Sequence, residues 1–193
     1  MEKINEFLKK PIVREVLDWA VHILLAVVIA VFIVNYVFQI TIVNGSSMER
    51  CLHDGDRLIV EKFVYKFRGL KRGDIVTINE PSGAKNENSP VIKRVAALEG
   101  DLIEIKDGSV YVNNKKLDEP YINGTETIIE PERDMSYGRV KVPEGHIFVL
   151  GDNRTRGGSY DSRSFGPVSI KKVGGRAVFR LFPFSGFGRL KVE

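Results

Sequence analysis

The sequence predicts a mainly β protein, in which an N-terminal transmembrane helix precedes an all-β domain that is barrel-like or folded from coiled sheets. Three observations lead to this fold class. A long apolar run near the N-terminus carries no charged residue. Beyond residue 41, short apolar runs alternate with turn signals. No amphipathic helix of about 12 residues can be traced in that region, which favours an all-β architecture.

The apolar run extends from Trp19 to Ile40, and no Asp, Glu, Lys or Arg lies between Asp18 and Glu49. About 20 apolar residues are enough to cross the hydrocarbon core of a bilayer as a helix. A cleaved secretory signal is the alternative, but its apolar core needs only about 7–15 residues and small residues follow it. Bulky residues end this run, so we expect an uncleaved transmembrane anchor at residues 19–40.

The charges that flank the run predict its orientation. The basic residues before it are Lys3, Lys9, Lys10 and Arg14. Only Arg50 and Arg57 follow it closely. Because cytoplasmic flanks carry the excess of basic residues, we expect a single-pass cell-membrane protein. Residues 1–18 would be cytoplasmic, and residues 41–193 would form an extracytoplasmic β domain.

Seven apolar runs beyond the anchor have the composition of β-strands. They are RLIVEK (57–62), DIVTIN (74–79), VIKRVAAL (91–98), LIEI (102–105), SVYVN (109–113), HIFVL (146–150) and RAVFRLF (176–182). Asp107-Gly108 is typical of a hairpin turn, and Asn113-Asn114 indicates a second turn. Residues 118–140 are expected to form a long connection, to which the sequence assigns no role.

Composition excludes several classes of function. The net charge is +4 with both signs interspersed, which fits a membrane surface better than a nucleic-acid partner. Cys51 is the only cysteine, so no intrachain disulfide forms. His22, His53 and His146 lie far apart and have no metal-ligand spacing. We therefore expect no metal, no cofactor and no nucleic acid.

Two stretches contain residues that could take part in catalysis. Ser47 follows the apolar run by seven residues, within about 25 Å of its end even when fully extended. The Ser46-Ser47 pair alone is more typical of a turn or a cap. If residues 91–98 form a strand, Lys93 shares a face with Val91 and Val95, where burial would favour a neutral amine that can act as a base. The alternative is a lysine whose stem packs while its head reaches water.

A third stretch, residues 151–166, is dense in polar groups. It contains Asp152, Asn153, Arg154, Ser159, Asp161, Ser162 and Arg163. Asp161 and Arg163 are two positions apart and could pair, and Ser159 could hold the lysine amine. A plain polar loop is the alternative. Buried polar networks of this kind orient catalytic groups.

In this order, the stretches resemble type I signal peptidases, membrane-bound serine proteases with a Ser–Lys dyad, and in particular their Gram-positive-type branch. The matching blocks are Gly45, Ser47, Met48 and Leu52; residues 72–76 (RGDIV); residues 93–95 (KRV) with Gly100-Asp101; and residues 151–154 (GDNR) with residues 159–163. The resemblance covers nearly the whole chain and implies an extracytoplasmic β catalytic domain.

The resemblance implies a role for each matching residue. Ser47 maps to the nucleophile, Lys93 to the general base and Ser159 to the serine that orients the lysine. The supporting residues are Asp161, Arg163, Arg94 and Asp152. The substrate is expected to lie extended against the strand edge formed by Gln39, Ile40, Ile42 and Gly45. The Ser47 N–H would be one oxyanion donor, and the second donor is unassigned.

The implied activity is serine endopeptidase cleavage of N-terminal signal peptides from secretory preproteins with Ala-x-Ala-like sites, at the surface of the lipid bilayer. The chain departs from the family at Arg50-Cys51, where Pro-Thr is usual, and at Gly157-Gly158, which resembles an insertion. A specialised peptidase, for instance for pilin-like substrates, or a catalytically weak paralogue is therefore an alternative. Two others are a sortase-like transpeptidase using Cys51 with His146 or His53, and a non-enzymatic anchored domain that binds envelope partners.

Overall fold

The computed structural model describes residues 11–33, 37–79, 90–124, 126–129 and 139–190. The chain divides into two units, residues 1–38 and residues 39–193. In the first unit, helix α1 spans Pro11–Phe32 and has 22 residues, none of them buried. At 1.5 Å per residue it is about 33 Å long. Its length and apolar composition make it a candidate membrane span.

The bounds of α1 differ from those predicted for the anchor. The helix begins at Pro11 instead of Trp19, and residues 38–40 belong to a strand instead of to the span. Proline is well suited to the first turn of a helix, where its missing N–H has no partner to lose. Hydropathy alone does not separate an apolar helix from the apolar strand that follows it. Residues 1–10 of the predicted cytoplasmic segment lie outside the described residues.

The rest of the described chain is mainly β. Its elements, in chain order, are β1 Phe38–Ile42, β2 Arg57–Glu61, helix α2 Val64–Arg68, β3 Ile75–Ile78, β4 Val91–Ala97, β5 Leu102–Lys106, β6 Ser109–Val112, β7 Lys115–Lys116, β8 Arg139–Lys141, β9 His146–Leu150, helix α3 Ser162–Phe165, β10 Val168–Ser169, a 3₁₀ turn Ile170–Lys172, β11 Val173–Phe182, a 3₁₀ turn Phe184–Gly186 and β12 Gly188–Arg189.

The strands form two sheets. The larger has eight strands in the order β1-β2-β11-β3-β4-β9-β10, with β12 paired to β11, and the smaller has the order β7-β6-β5-β8. All seven predicted strands are present, as β2, β3, β4, β5, β6, β9 and β11. The predicted fold class, a mainly β domain preceded by an apolar helix, is confirmed. Strand β1 lies at one edge of the larger sheet.

Both predicted turns are present in the smaller sheet. Asp107 and Gly108 have φ of 48° and 68°, and they join Lys106 to Ser109 across a tight hairpin. Asn113 and Asn114 have φ of 52° and 64° between β6 and β7. Positive φ at both central residues gives the turn the twist that paired strands need, and Gly and Asn tolerate that conformation.

Apolar side chains pack on both faces of the larger sheet. One cluster joins Met48 and Leu52, from the loop after β1, to Ile75 on β3 and Ile92 on β4. A second cluster contains Val76 on β3, Val95 on β4 and Val149 on β9, with Tyr65 of α2. Strand β4 is thus buried on both sides, and a charged group on it loses its hydration.

Candidate active site

The loop between β1 and β2 carries Ser47. Gly45 begins the turn with a φ of 84°, a conformation suited to glycine, and its N–H donates to Asp54 Oδ1 at 2.7 Å. Met48 and Leu52 are buried in the core, and the Leu52 N–H donates to Met48 O at 2.8 Å. Ser47 itself is half-buried. The buried side chains of Met48 and Leu52 therefore hold the loop, and with it Ser47, at the surface of the sheet.

Lys93 lies in the middle of β4 and is only 3% exposed. Its Nζ is 2.7 Å from Ser47 Oγ, within hydrogen-bonding distance, and it also donates to Ile92 O at 2.9 Å. Val91 and Val95, two positions before and after it, both pack in the second apolar cluster. The structure therefore brings a buried amine and a serine hydroxyl into direct contact.

Burial lowers the pKa of Lys93 from 10.5 to about 8, because an apolar environment penalises the ammonium form. The carboxylates of Asp161 and Asp152 oppose this shift, and Arg163 adds to it. At slightly alkaline pH a large fraction of the amine is neutral. A neutral amine next to a hydroxyl can accept its proton, which is the property that a general base requires.

The segment after β9 holds the serine loop from the other side. The Asn153 N–H donates to Ser47 O at 3.1 Å, and Asn153 Nδ2 donates to Ser46 O at 3.2 Å. The Thr155 hydroxyl donates to Asn153 Oδ1 at 2.6 Å, which fixes the orientation of the amide. Asn153 therefore clamps the backbone by holding the carbonyl groups of both Ser46 and Ser47.

Two buried ion pairs support this segment. Arg163 Nε and Nη2 donate to Asp161 at 2.8 and 2.9 Å, and Asp161 Oδ2 also accepts from the Gly151 N–H at 2.9 Å. Arg94 Nε and Nη2 donate to Asp152 at 2.8 and 2.7 Å, with both side chains at most 2% exposed. Bidentate pairs of this kind have a fixed geometry, so they hold Gly151 and Asp152 in place beside Lys93.

Glu119, Tyr121 and Thr127 also contribute to the site, which the sequence did not indicate. Arg154 donates to Glu119 carboxylate oxygens, to Thr127 Oγ1 at 2.8 Å and to Gly151 O at 2.6 Å. The ring of Tyr121 lies 3.9 Å from the Arg94 guanidinium carbon. Part of the long connection therefore supports the ion pairs. Residues 125 and 130–138 of that connection lie outside the described residues.

The family profile of "Signal peptidase, peptidase S26" matches residues 16–182. The chain belongs to this family. It is 41% identical to signal peptidase I of Bacillus licheniformis over 87% of this chain and 89% of that protein. It is 34% identical to signal peptidase IB of Staphylococcus aureus, over 90% and 93% of the two chains. A solved structure of signal peptidase I from Enterococcus faecalis is 34% identical and covers 55% of this chain and 95% of that one, with a TM-score of 0.44.

Family membership confirms the predicted activity, that of a serine endopeptidase that removes signal peptides. It also confirms a membrane protein, since the signal peptidase family is membrane-anchored and α1 has the length and composition of a span. The sequence reasoning did not find the Asn153 clamp. Its signal was present in the GDNR block, where an asparagine stands between two charged residues that form ion pairs.

Ser159 does not make the contact that the resemblance implied. The residue is 8% exposed, and within the described ranges its Oγ has no hydrogen-bond partner. Lys93 Nζ instead bonds to Ser47 Oγ and Ile92 O. Ser159 nevertheless lies close by, because a Cβ on Gly151 would lie 2.2 Å from Ser159 Oγ and 2.5 Å from Ser47 O.

Gly158 lies against the residues that clamp the serine loop. A Cβ on Gly158 would lie 2.4 Å from Asn153 Oδ1 and 2.7 Å from Thr155 Oγ1. Only a residue without a side chain lets this loop pass so close to the clamp. Gly158 therefore adjoins Asn153.

The structure disfavours Cys51 as a nucleophile. The residue is half-buried, and burial raises the pKa of its thiol, which reduces the reactive thiolate. Its neighbours are Arg94 and Arg180, and within the described part of the chain His146 Nδ1 bonds to Glu144 O instead. In the described chain no hydrogen bond joins Cys51 to His146 or to His53, which lies two positions after it, so the sortase-like alternative lacks the cysteine–histidine contact that it needs.

The residues expected to bind substrate lie on or just after the edge strand. Gln39, Ile40 and Ile42 belong to β1 and are exposed, with Ile40 at 63% and Ile42 at 51%. Gly45 is exposed at the start of the turn that leads to Ser47. This strand has a sheet partner, β2, on one side only in the described chain.

Substituting Gly151 with alanine is expected to reduce activity and stability together. The new Cβ would overlap Ser159 Oγ and Ser47 O, so the serine loop has to shift. Overpacking of this kind costs about 1–3 kcal/mol of unfolding free energy. A lower rate of precursor cleavage per folded molecule would show that Ser47 has shifted.

Gly100→Ala is the matched control. Gly100 has a φ of 79° and open space around it, so an alanine there costs about 1–2 kcal/mol of left-handed strain without touching the site. Its cleavage rate per folded molecule should equal that of the unsubstituted protein. Equal rates for both variants would mean that the Gly151 contact does not position Ser47.

Proposed function

We propose that Ser47 is the nucleophile and Lys93 the general base with which this signal peptidase cleaves secretory preproteins. The single observation that carries the assignment is the 2.7 Å contact between Lys93 Nζ and Ser47 Oγ, in which the amine is buried and the hydroxyl is half-exposed. The lowered pKa of Lys93 supports it, because a lysine of ordinary pKa would hold its proton and could not accept another.

The reaction begins when neutral Lys93 takes the proton of Ser47 Oγ. The Ser47 oxygen then attacks the carbonyl carbon of the last signal-peptide residue and forms a tetrahedral oxyanion. In the described chain the Ser47 N–H donates to no protein group, so it is free to stabilise that oxyanion. Lys93 returns the proton to the leaving amine, and water hydrolyses the acyl-enzyme.

The supporting residues act through these two. Asp161 with Arg163, and Asp152 with Arg94, hold the segment that carries Gly151 and Asn153, and Asn153 fixes the Ser46–Ser47 backbone. Ser159 is a positioning residue in this mechanism. Within the described residues its buried hydroxyl has no partner, and it is available to accept from the lysine ammonium, which has one N–H beyond those directed at Ser47 Oγ and Ile92 O.

The exposed edge of β1 supports strand addition as the mode of substrate binding. An extended peptide can pair with an unpaired strand edge through main-chain hydrogen bonds, and pockets for alternate side chains then give specificity. Gln39, Ile40, Ile42 and Gly45 would contact the residues before the cleavage site. Small side chains at alternate positions, as in Ala-x-Ala, fit a peptide held this closely against the sheet.

Because α1 anchors the protein in the membrane, cleavage takes place at the membrane surface. The substrate's apolar segment occupies the same bilayer as α1, so both chains present their adjoining segments at the membrane surface. The basic residues before the span favour a cytoplasmic N-terminus and an extracytoplasmic domain. Protease treatment of right-side-out vesicles checks this orientation, since residues 41–193 should then be cleaved from outside.

A cleavage assay in detergent tests the assignment. Full-length protein is incubated with a tagged preprotein, and N-terminal sequencing of the product reports the cleaved bond. We expect cleavage after an Ala-x-Ala site by the unsubstituted protein and none by Ser47→Ala. Cys51→Ala is the control and should retain activity, because the thiol takes no part in the reaction. Retained cleavage by Ser47→Ala would exclude Ser47 as the nucleophile.

The pH profile is a separate prediction. Because only neutral Lys93 is competent, kcat/KM should rise with pH and level off above an apparent pKa of about 8. Rates measured from slightly acidic to alkaline pH, with circular dichroism to confirm folding at each end, give this value. A profile that is flat across that range would contradict a lysine base.

A further inference from the structure

A polar cleft lies on one face of the larger sheet, beside the substrate-binding strand β1. It has a volume of about 190 Å³. Its lining includes Gln39, Thr41, Lys62, Thr77, Asn79 and Gly174. Pockets that hold a whole small molecule begin at about 300 Å³, so a cleft of this size suits a single side chain.

The face of the sheet that carries the cleft also supports the Ser47 loop. Side chains two positions apart on a strand share a face. On β1, buried Val43 packs in the apolar cluster that contains Met48, and Thr41 and Gln39 come before it on the same face. Along β1 this face therefore changes from apolar to polar with increasing distance from Ser47.

Strand β3 shows the same change. Ile75 packs in the apolar cluster with Met48, whereas Thr77 and Asn79 line the cleft. Thr77 is paired in register with Ile92 of β4, whose carbonyl oxygen accepts from Lys93 Nζ. The polar cleft thus continues the surface that lies beside the reacting groups.

Gly174 leaves the floor of the cleft open. A Cβ at this position would lie 2.9 Å from Thr77 Oγ1 and 3.1 Å from Asn79 Oδ1. The φ of Gly174 lies outside the left-handed region, so backbone strain does not account for the glycine. Its missing side chain keeps space between the polar groups of β3 and β11.

Lys62 gives the cleft a positive charge. It is half-buried, and the described lining contains no carboxylate. The adjacent Glu61 is buried and pairs with Arg176 instead. In the described part of the chain no salt bridge includes Lys62. A carboxylate that enters the cleft would therefore meet a cation that has no other acidic partner there.

The register of the substrate follows from the proposed function, on which this inference rests. There, the residues before the cleaved bond lie extended along β1 and present every second side chain to one face. The first and third of them would face the apolar part near Val43. The fifth lies about 13 Å from the first along an extended chain, which is the length from Val43 to Gln39. Its side chain would reach the polar cleft.

We propose that the cleft is a subsite for an acidic side chain at the fifth residue before the cleaved bond, with Lys62 as the residue that determines this specificity. The ammonium of Lys62 pairs with the carboxylate, and the amides of Gln39 and Asn79 can donate to its oxygens. The subsite selects among preproteins that share the same Ala-x-Ala site.

A series of peptide substrates tests this proposal with the full-length protein in detergent. The peptides share one Ala-x-Ala site and differ only at the fifth residue before the cut, which is Glu, Gln, Leu or Lys. We expect the highest kcat/KM for the Glu peptide and the lowest for the Lys peptide. The Glu peptide should exceed the Gln peptide by about three- to fivefold, the effect of one partly exposed ion pair.

Charge reversal at Lys62 gives the decisive comparison. Lys62→Glu should invert the order, so that the Lys peptide is cleaved faster than the Glu peptide, and Lys62→Gln should remove the difference between the Glu and Gln peptides. Lys66→Gln, at an exposed position outside the cleft, is the matched control and should keep the original order. The ratio of two peptides in one preparation does not depend on the folded fraction of the variant.

Three outcomes would overturn the proposal. Equal kcat/KM for all four peptides, with cleavage still dependent on Ser47, would show that the fifth residue is not recognised and would leave the proposed function in place. An unchanged order in Lys62→Glu would show that Lys62 does not read the charge. Cleavage that persists in Ser47→Ala would overturn the proposed function and, with it, the register on which this subsite depends.

Discussion

Replacing Lys93 with methionine is expected to abolish precursor cleavage and, at neutral pH, to raise the free energy of unfolding. Loss of a general base costs about 10²–10⁴-fold in rate. The stability effect has the opposite sign, because methionine fills the same apolar space without a charge. The 2.5-unit difference between the ordinary pKa of 10.5 and the value of about 8 sets an upper limit of roughly 3 kcal/mol for the gain.

The sign of the pH dependence follows from the proton affinities of the two states. In the folded state the pKa of Lys93 is about 8, and in the unfolded state it is near 10.5. Below pH 8 both states carry the proton, and burial of the charge reduces stability by its full amount. Between these values only the unfolded state holds the proton, so the stability of the unsubstituted protein rises with pH. Above both pKa values neither state carries the proton, and the burial of Lys93 no longer reduces stability through its charge.

Guanidinium unfolding in detergent across this pH range measures the effect. The unsubstituted protein should gain stability from pH 8 upward, and Lys93→Met should lack that rise. Lys71→Met, at an exposed position, serves as the control and should alter neither cleavage nor its pH profile. A Lys93→Met variant that is less stable than the unsubstituted protein at pH 7 would show that the lysine's hydrogen bonds outweigh its desolvation.

Replacing Arg94 with methionine should destabilise the protein severely. Arg94 and Asp152 are at most 2% exposed and bond through two contacts of 2.8 and 2.7 Å, so the substitution strands a carboxylate in the core. Removing one partner of a buried pair costs about 3–5 kcal/mol. Denaturant unfolding measures this cost directly. Activity should fall as well, because Asp152 adjoins the segment that clamps the Ser47 backbone.

Arg72→Met is the matched control for this prediction. Arg72 also pairs with an aspartate, Asp101, but its side chain is 43% exposed. Asp101 is itself buried, but it keeps hydrogen bonds from the Leu98 N–H and Asn113 Nδ2 when Arg72 is removed. The loss of stability should therefore be well below that of Arg94→Met. Two variants with equal losses of stability would indicate that water reaches Asp152 in the folded state.

Strand assignment from the sequence was accurate where both periodicity and turn chemistry were present. Asp107-Gly108 and Asn113-Asn114 mark the ends of strands because few other residues adopt positive φ. Strand β8 and the bounds of α1 were not predicted. Strand β8 has three residues and gains its stability from β5, a long-range pairing that no local pattern reports. Apolar residues in α1 and β1 form one continuous run, so the helix end was placed inside the strand.

The candidate site could be assembled from the sequence only through ordered motifs. Ser47 and Lys93 lie 46 positions apart, and nothing local indicates that their side chains touch. The contacts of Glu119, Thr127 and Tyr121 were missed for the same reason, since each reaches an arginine more than 25 positions away. The role of Ser159 as a lysine partner stays a prediction, because within the described residues its Oγ makes no hydrogen bond.

The outer edge of β1 has a consequence for handling the protein. Ile40 and Ile42 are exposed on a strand that, in the described part of the chain, is paired on one side only. The other side can pair with a preprotein or with another copy of the same strand. In a bilayer the molecules are kept apart by dilution in the membrane plane, but in concentrated detergent solution they are not. Reversible pairing of β1 edges between two molecules should then compete with substrate cleavage. Saturating peptide would then act as a solubilising agent as well as a substrate.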